Sequence, residues 1–111
     1  MKYVLLICDD ETISPSMAEM EADPVHQTWE ADLRRRDAER LGVRLRPVAS
    51  ATTVRVRKGE TLVSDGPFAE TKDFVGGVVL IECADLDEAI AIAAGHPNAQ
   101  WGGVEIRPVW E

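Results

Sequence analysis

A chain of 111 residues with 45% hydrophobic content can build one core and is too short for two ordinary domains, so a single domain over residues 1–111 is expected. Its 20 acidic residues against 12 basic ones give a net charge of −8, a surface that repels phosphate backbones and argues against nucleic-acid binding. The apolar run Tyr3-Val4-Leu5-Leu6-Ile7-Cys8 is too short to cross a membrane and no small-residue cleavage site follows it, so no membrane attachment is expected.

That run reads as a first strand. Residues 9–23 are polar, with a weakly helical Met17-Ala18-Glu19-Met20-Glu21-Ala22. Asp23-Pro24 then supplies an N-cap and a first helical position. From there Val25, Trp29, Leu33 and Leu41, with Ala38 between, predict an apolar helical stripe ending at Gly42. On the same helix Arg34-Arg35-Arg36 lies among Glu30, Asp32, Asp37 and Glu39, the pattern of a solvated, salt-bridged face. Val43 and Leu45 alternate with Arg44 and Arg46 before Pro47, which predicts a short edge strand near 43–46. Two β-rich runs, 53–57 and 61–64, flank Lys58-Gly59-Glu60 and predict a hairpin.

Residues 74–83 form the most apolar segment, with Phe74, Val78 and Leu80 on one parity and Val75, Val79, Ile81 and Cys83 on the other. Both faces of that strand call for burial. Helices can cover one face, and a second subunit is the natural cover for the other, so a homodimer packed sheet against sheet is expected. Asp85 with Glu88 reads as a capping box opening a helix whose inner side is Ala89, Ile90 and Ala93, with Ile92 nearby, and Gly95-His96-Pro97 ends it. A last strand alternates Val104, Ile106, Pro108 and Trp110 with Glu105 and Arg107. The order, with its inserted hairpin, describes an α+β ferredoxin-like sandwich on an antiparallel sheet.

The octapeptide Asp65-Gly66-Pro67-Phe68-Ala69-Glu70-Thr71-Lys72 concentrates turn chemistry, a carboxylate and a lysine in one connection. It resembles the signature of the DGPF (YCII-related) domain family. Ala51-Thr52-Thr53-Val54-Arg55 and Val104-Glu105-Ile106-Arg107-Pro108-Val109 resemble that family's flanking blocks, most clearly from residue 47 onwards. The resemblance implies the fold of the dimeric α/β barrels. It also implies a candidate pairing of a histidine on the first helix, here His26, with an aspartate at a later strand end, here Asp65.

Asp65 has two readings: a turn cap, or an acid/base group desolvated by Phe68 and Trp29. His26 beside a carboxylate could exchange protons near neutral pH, or could fill a half-polar gap in the helix packing. Thr71 and Lys72 could hold an anionic substrate, with Glu70 orienting Lys72, or Glu70 and Lys72 could be a solvated pair. A dry pocket would be lined by Trp29, Phe68 and Phe74. Gly76-Gly77 marks a bulge or a close approach of a ligand or backbone. His96 reads as structural, complementing a helix C-terminus.

Asp9-Asp10-Glu11 lacks partners at metal-ligand spacing, so no metal is expected, and no phosphate- or dinucleotide-binding loop implies a cofactor. Cys8 and Cys83 lie in apolar runs without Cys-x-x-Cys spacing, which fits buried, reduced thiols in a cytoplasmic protein. Two functions follow. One is a cofactor-independent lyase, isomerase or hydrolase acting on a small organic ligand through Asp65 and His26. The other is a non-catalytic ligand-binding or accessory module, which the resemblance associates with sigma-factor regulation.

Overall fold

The computed structural model describes residues 1–69 and 73–111. In chain order these form β1 (Lys2–Asp9), α1 (Met17–Ala22), α2 (Pro24–Arg36), β2 (Glu39–Arg44), the hairpin β3 (Thr52–Arg57) and β4 (Glu60–Asp65), β5 (Phe74–Glu82), α3 (Leu86–Ala94), α4 (Asn98–Trp101) and β6 (Gly103–Pro108). The main sheet has the order β2-β5-β1-β6 with every neighbouring pair antiparallel, and β3-β4 forms a separate ribbon. This is the expected ferredoxin-like α+β arrangement, two split βαβ units sharing one sheet. None of the described helices is long and apolar enough to cross a membrane.

Period-two alternation puts Tyr3, Leu5 and Ile7 of β1 on the helix side, where they meet Val79 and Ile81 of β5. Trp29 and Leu33 of α2 and Ala89, Ile92 and Ala93 of α3 close over them. Tyr3, Leu5, Leu33, Ile81 and Ile92 are fully buried, and burial of a large apolar side chain is worth about 1.5–3 kcal/mol. The indole Nε1 of Trp29 donates to the Ile92 carbonyl at 2.8 Å, locking α2 against the last turn of α3. At the far end Arg36 spans the same two helices, with Asp32 at 2.8 Å and Glu88 at 2.9 Å.

Local signals set most boundaries. Ser16 and Glu19 form a complete capping box at the start of α1, and Asp23 accepts from Val25 N at 2.9 Å to open α2. Lys58 and Gly59 both have positive φ, 51° and 77°, as a two-residue type I′ hairpin turn requires. Gly66 has φ 98° and donates to the Ala51 carbonyl at 2.8 Å, closing the base of the ribbon at the start of the octapeptide.

Four expectations are corrected. The helix α2 ends at Arg36, not Gly42, because Asp37 adopts the left-handed conformation (φ 51°) and Ala38 N caps the Leu33 carbonyl; Asp is among the few residues that tolerate it. The freed segment is the edge strand β2 at 39–44, not 43–46, with Leu41 opposite Leu80 and Val43 opposite Val78. In α3 the buried set is Ala89, Ile92 and Ala93, and Ile90 points outwards with 49% exposure. Pro108 is exposed and Trp110 lies beyond β6 and is exposed as well, so the half-buried alternation stops at Ile106.

The paired glycines make both a bulge and a close approach. Between β1 and β5 the register jumps from Ile7 opposite Gly77 to Cys8 opposite Val75, which leaves Gly76 as the extra residue. A Cβ at Gly76 would fall on Oδ2 of Asp9. Gly76→Ala should therefore cost about 1–3 kcal/mol in chemical denaturation. Gly103→Ala, where a Cβ meets nothing within 4 Å, should stay within about 0.5 kcal/mol of the parent.

Candidate functional site

The stripe of α2 that faces the sheet is His26, Trp29 and Leu33, spaced by three and four residues. Val25, expected inside, is half exposed, and His26 takes the inward position at the first turn. The imidazole finds partners there that a valine could not use. Its Nδ1 lies 3.2 Å from Glu30 Oε1, one turn along the helix. Its ring packs against Trp29 at 5.9 Å and edge-on to His96 at 5.6 Å, and His96 meets Trp29 edge-on at 4.7 Å.

His96 arrives from the turn after α3. It is buried, with 6% exposure, and its Nδ1 accepts the Asn98 backbone N–H at 3.0 Å. Burial, reinforced by the nearby His26, lowers its pKa from 6.5 to about 4. A neutral imidazole that accepts at Nδ1 carries its proton on Nε2. In the neutral form of His26 the carboxylate beside Nδ1 favours the opposite tautomer, with the proton on Nδ1.

The inward parity of β1 continues past Tyr3, Leu5 and Ile7 to Asp9, which places a carboxylate at the end of an apolar row. Asn98 Nδ2 donates to Asp9 Oδ1 at 2.6 Å and to the Cys8 carbonyl at 3.1 Å. The Gly76 bulge makes room for Oδ2. Among the described residues, every buried side-chain nitrogen and oxygen has a hydrogen-bond partner.

Asp9, His26, Trp29, His96, Asn98 and Gly76 line one cavity of about 320 Å³ between the sheet and the N-terminal part of α2. Its outer wall carries Met17, Met20, Glu30 and Arg44. Arg44 donates to the Pro15 carbonyl and contacts Met17 Sδ at 3.1 Å, which ties β2 to the segment entering α1. A wider groove of about 660 Å³ shares Asp9, Pro15, Arg44 and Gly76 and runs out past Glu11 and Pro47.

The sequence-expected site residues divide. His26 and Trp29 stand together in the cavity wall. Asp65, the last residue of β4, is exposed at the base of the ribbon and is not among the described residues lining either cavity. Phe68 is 75% exposed, with the Arg55 guanidinium 5.0 Å above its ring. Phe74 is half-buried opposite Asp9. Thr71 and Lys72, with Glu70, lie outside the described residues. Asp9, His96 and Asn98 complete the cavity; inward parity was the available signal for Asp9, whereas the fold of the turn after α3 was needed for the other two.

Cys8 and Cys83 are free thiols, each partly buried, and burial pushes both pKa values up, so neither is primed as a nucleophile. Among the described residues no group of three or more histidine, cysteine, aspartate or glutamate side chains is arranged to hold a metal ion.

Fold and site together define a small α+β sandwich domain with a histidine-walled cavity beneath its helices. The chain matches the YCII-related domain family over residues 1–111, and it belongs to that family. It is similar to the uncharacterised protein R00369 of Rhizobium meliloti (strain 1021), 40% identical over 114 residues that cover 98% of this chain and 92% of the relative.

The depressed pKa of His96 has a signed consequence. As pH falls through 6.5 the unfolded chain takes up a proton that the folded chain refuses until about pH 4. Stability should therefore be full above pH 6.5 and fall by a few kcal/mol between 6.5 and 4. This window lies above that of Glu88, whose carboxylate is held below its usual 4.5 by the Ala84 N–H and then by Arg36. In urea denaturation from pH 7 to pH 4, His96→Asn, which retains an acceptor for the Asn98 N–H, should flatten the slope.

Proposed function

We propose that the cavity binds a small organic molecule and transfers a proton on it without a cofactor, as a lyase or isomerase does when it works next to a carbonyl. The observation that carries this reading is the juxtaposition of two buried imidazoles, 5.6 Å between ring centres, with Nδ1 of His26 3.2 Å from the Glu30 carboxylate and Nδ1 of His96 accepting the Asn98 N–H. His26, with Glu30 behind it, is suited to accept a proton at Nε2. His96, kept neutral by burial, is suited to donate a hydrogen bond from Nε2–H to a carbonyl oxygen as negative charge develops there. Asp9, anchored by Asn98, supplies the second carboxylate. In this reading the buried set takes the proton-transfer role, and Asp65 stands exposed at the end of β4.

Exchange at carbon tests the chemistry without knowledge of the product. A panel of small carbonyl compounds in D2O, followed by proton NMR, should include one whose α-hydrogen exchanges catalytically. His26→Gln should slow that exchange by about 10²-fold or more. Exchange unaffected by the substitution would remove His26 as the base. Binding without any exchange would favour the accessory-module reading, including the association with sigma-factor regulation.

The open face of the sheet supports a homodimer. Val4, Leu6, Val78 and Leu80 lie on that face half-buried, with Leu41 and Val43 beside them about half exposed. A contiguous apolar surface of this kind marks an interface. The Cα radius of gyration, 15.8 Å, exceeds the roughly 13 Å of a compact chain this long, consistent with the β3-β4 ribbon standing away from the sandwich. Sedimentation at micromolar concentration should give twice the 12.2 kDa chain mass, and Leu80→Lys should give a monomer. A monomeric parent would refute the sheet-to-sheet dimer.

A further inference from the structure

We infer that the ligand of this cavity is a small protonated amine attached to an apolar or aromatic body, a deepening that rests on the small-molecule reading above. Charge is the first argument. Among the described residues, the cavity wall holds the carboxylates Asp9, Glu21, Glu30 and Glu39 against the single guanidinium of Arg44. Arg44 is committed to the Pro15 carbonyl and the Met17 thioether. His96 adds no positive charge at neutral pH, because burial keeps it unprotonated. An anionic ligand would enter a field of its own sign in a partly desolvated space.

The second argument is the build of the inner wall. Asp9 is buried, with 9% exposure, and Asn98 engages its Oδ1. Oδ2 abuts the bulge at Gly76, itself a lining residue. The rings of Trp29, His26 and His96 cluster within 4.7–5.9 Å of one another in the same wall. A carboxylate beside clustered aromatic rings is the environment that attracts an ammonium group, through ion pairing and cation–π attraction. The methionines of α1, Met17 and Met20, offer an adaptable apolar rim for the rest of the molecule. Thr71 and Lys72, expected to hold an anion, lie outside the described residues, and the described cavity wall carries the opposite sign.

Three probes of matched size separate the possibilities: benzylammonium, benzyl alcohol and benzoate, titrated into the ¹⁵N-labelled full chain at pH 7 and followed at the Trp29 indole and the two imidazoles. Benzylammonium should bind at least about tenfold more tightly than benzoate, and Asp9→Asn should erase about tenfold of that preference while leaving benzyl alcohol unchanged. If Asp9→Asn does not fold, Glu30→Gln, which removes a carboxylate at the half-exposed rim, should reduce the same preference. Benzoate binding as tightly as benzylammonium, or a preference for benzylammonium that survives both substitutions, would overturn the charge assignment and leave the cavity a binding site. No shift at Trp29, His26 or His96 with any probe would overturn the binding-site reading along with it.

Discussion

Asn98 fastens the end of β1 to the turn that follows α3, and the site depends on that clamp. Its side-chain amide holds both the Cys8 carbonyl and the Asp9 carboxylate, while its backbone N–H holds His96. One residue thereby fixes a carboxylate at the end of a strand and an imidazole on a loop relative to each other. A hydrogen bond to a charged group contributes about 1.5–3 kcal/mol, and loss of one partner would leave buried polar atoms unsatisfied. The Gly76 bulge is the matching concession on β5, because a side chain there would occupy the space of Asp9 Oδ2.

Around that clamp, the partners at Nδ1 separate the two equally buried histidines. His26 sits beside the half-exposed Glu30 on a helix turn, whereas His96 faces aromatic rings and a backbone donor. The same side chain thus meets two different partners at Nδ1 within one cavity. Trp29 links this chemistry to the fold: its indole N–H anchors α3 through Ile92, and its ring forms part of the wall both histidines share. Packing and site geometry are consequently inseparable at this residue.

Much of the architecture was legible from residue order. The period-two run of β1, the Asp23-Pro24 helix start, the Lys58-Gly59 turn and the Asp85 cap are local signals, and each local preference agrees with its place in the fold. The end of α2 was not legible, since Leu41 continues a helical period as well as it begins a strand, and only the left-handed Asp37 and the pairing with β5 decide between them. Site residues were harder. His26 and Trp29 share a helix face and could be found together, but Asp9, His96 and Asn98 come from two distant segments joined by tertiary contacts. In the octapeptide Gly66 is the residue whose turn conformation is accounted for, with its N–H on the Ala51 carbonyl and its carbonyl on the Thr53 hydroxyl at the base of the ribbon.

Two imidazoles that face one cavity with opposite neutral tautomers are distinguishable by long-range ¹H–¹⁵N correlation of the histidine side chains at pH 7. His96 should be neutral and protonated on Nε2, and the neutral form of His26 should carry its proton on Nδ1, beside Glu30. Identical tautomers for the two rings, or a charged His96 at pH 7, would contradict this assignment.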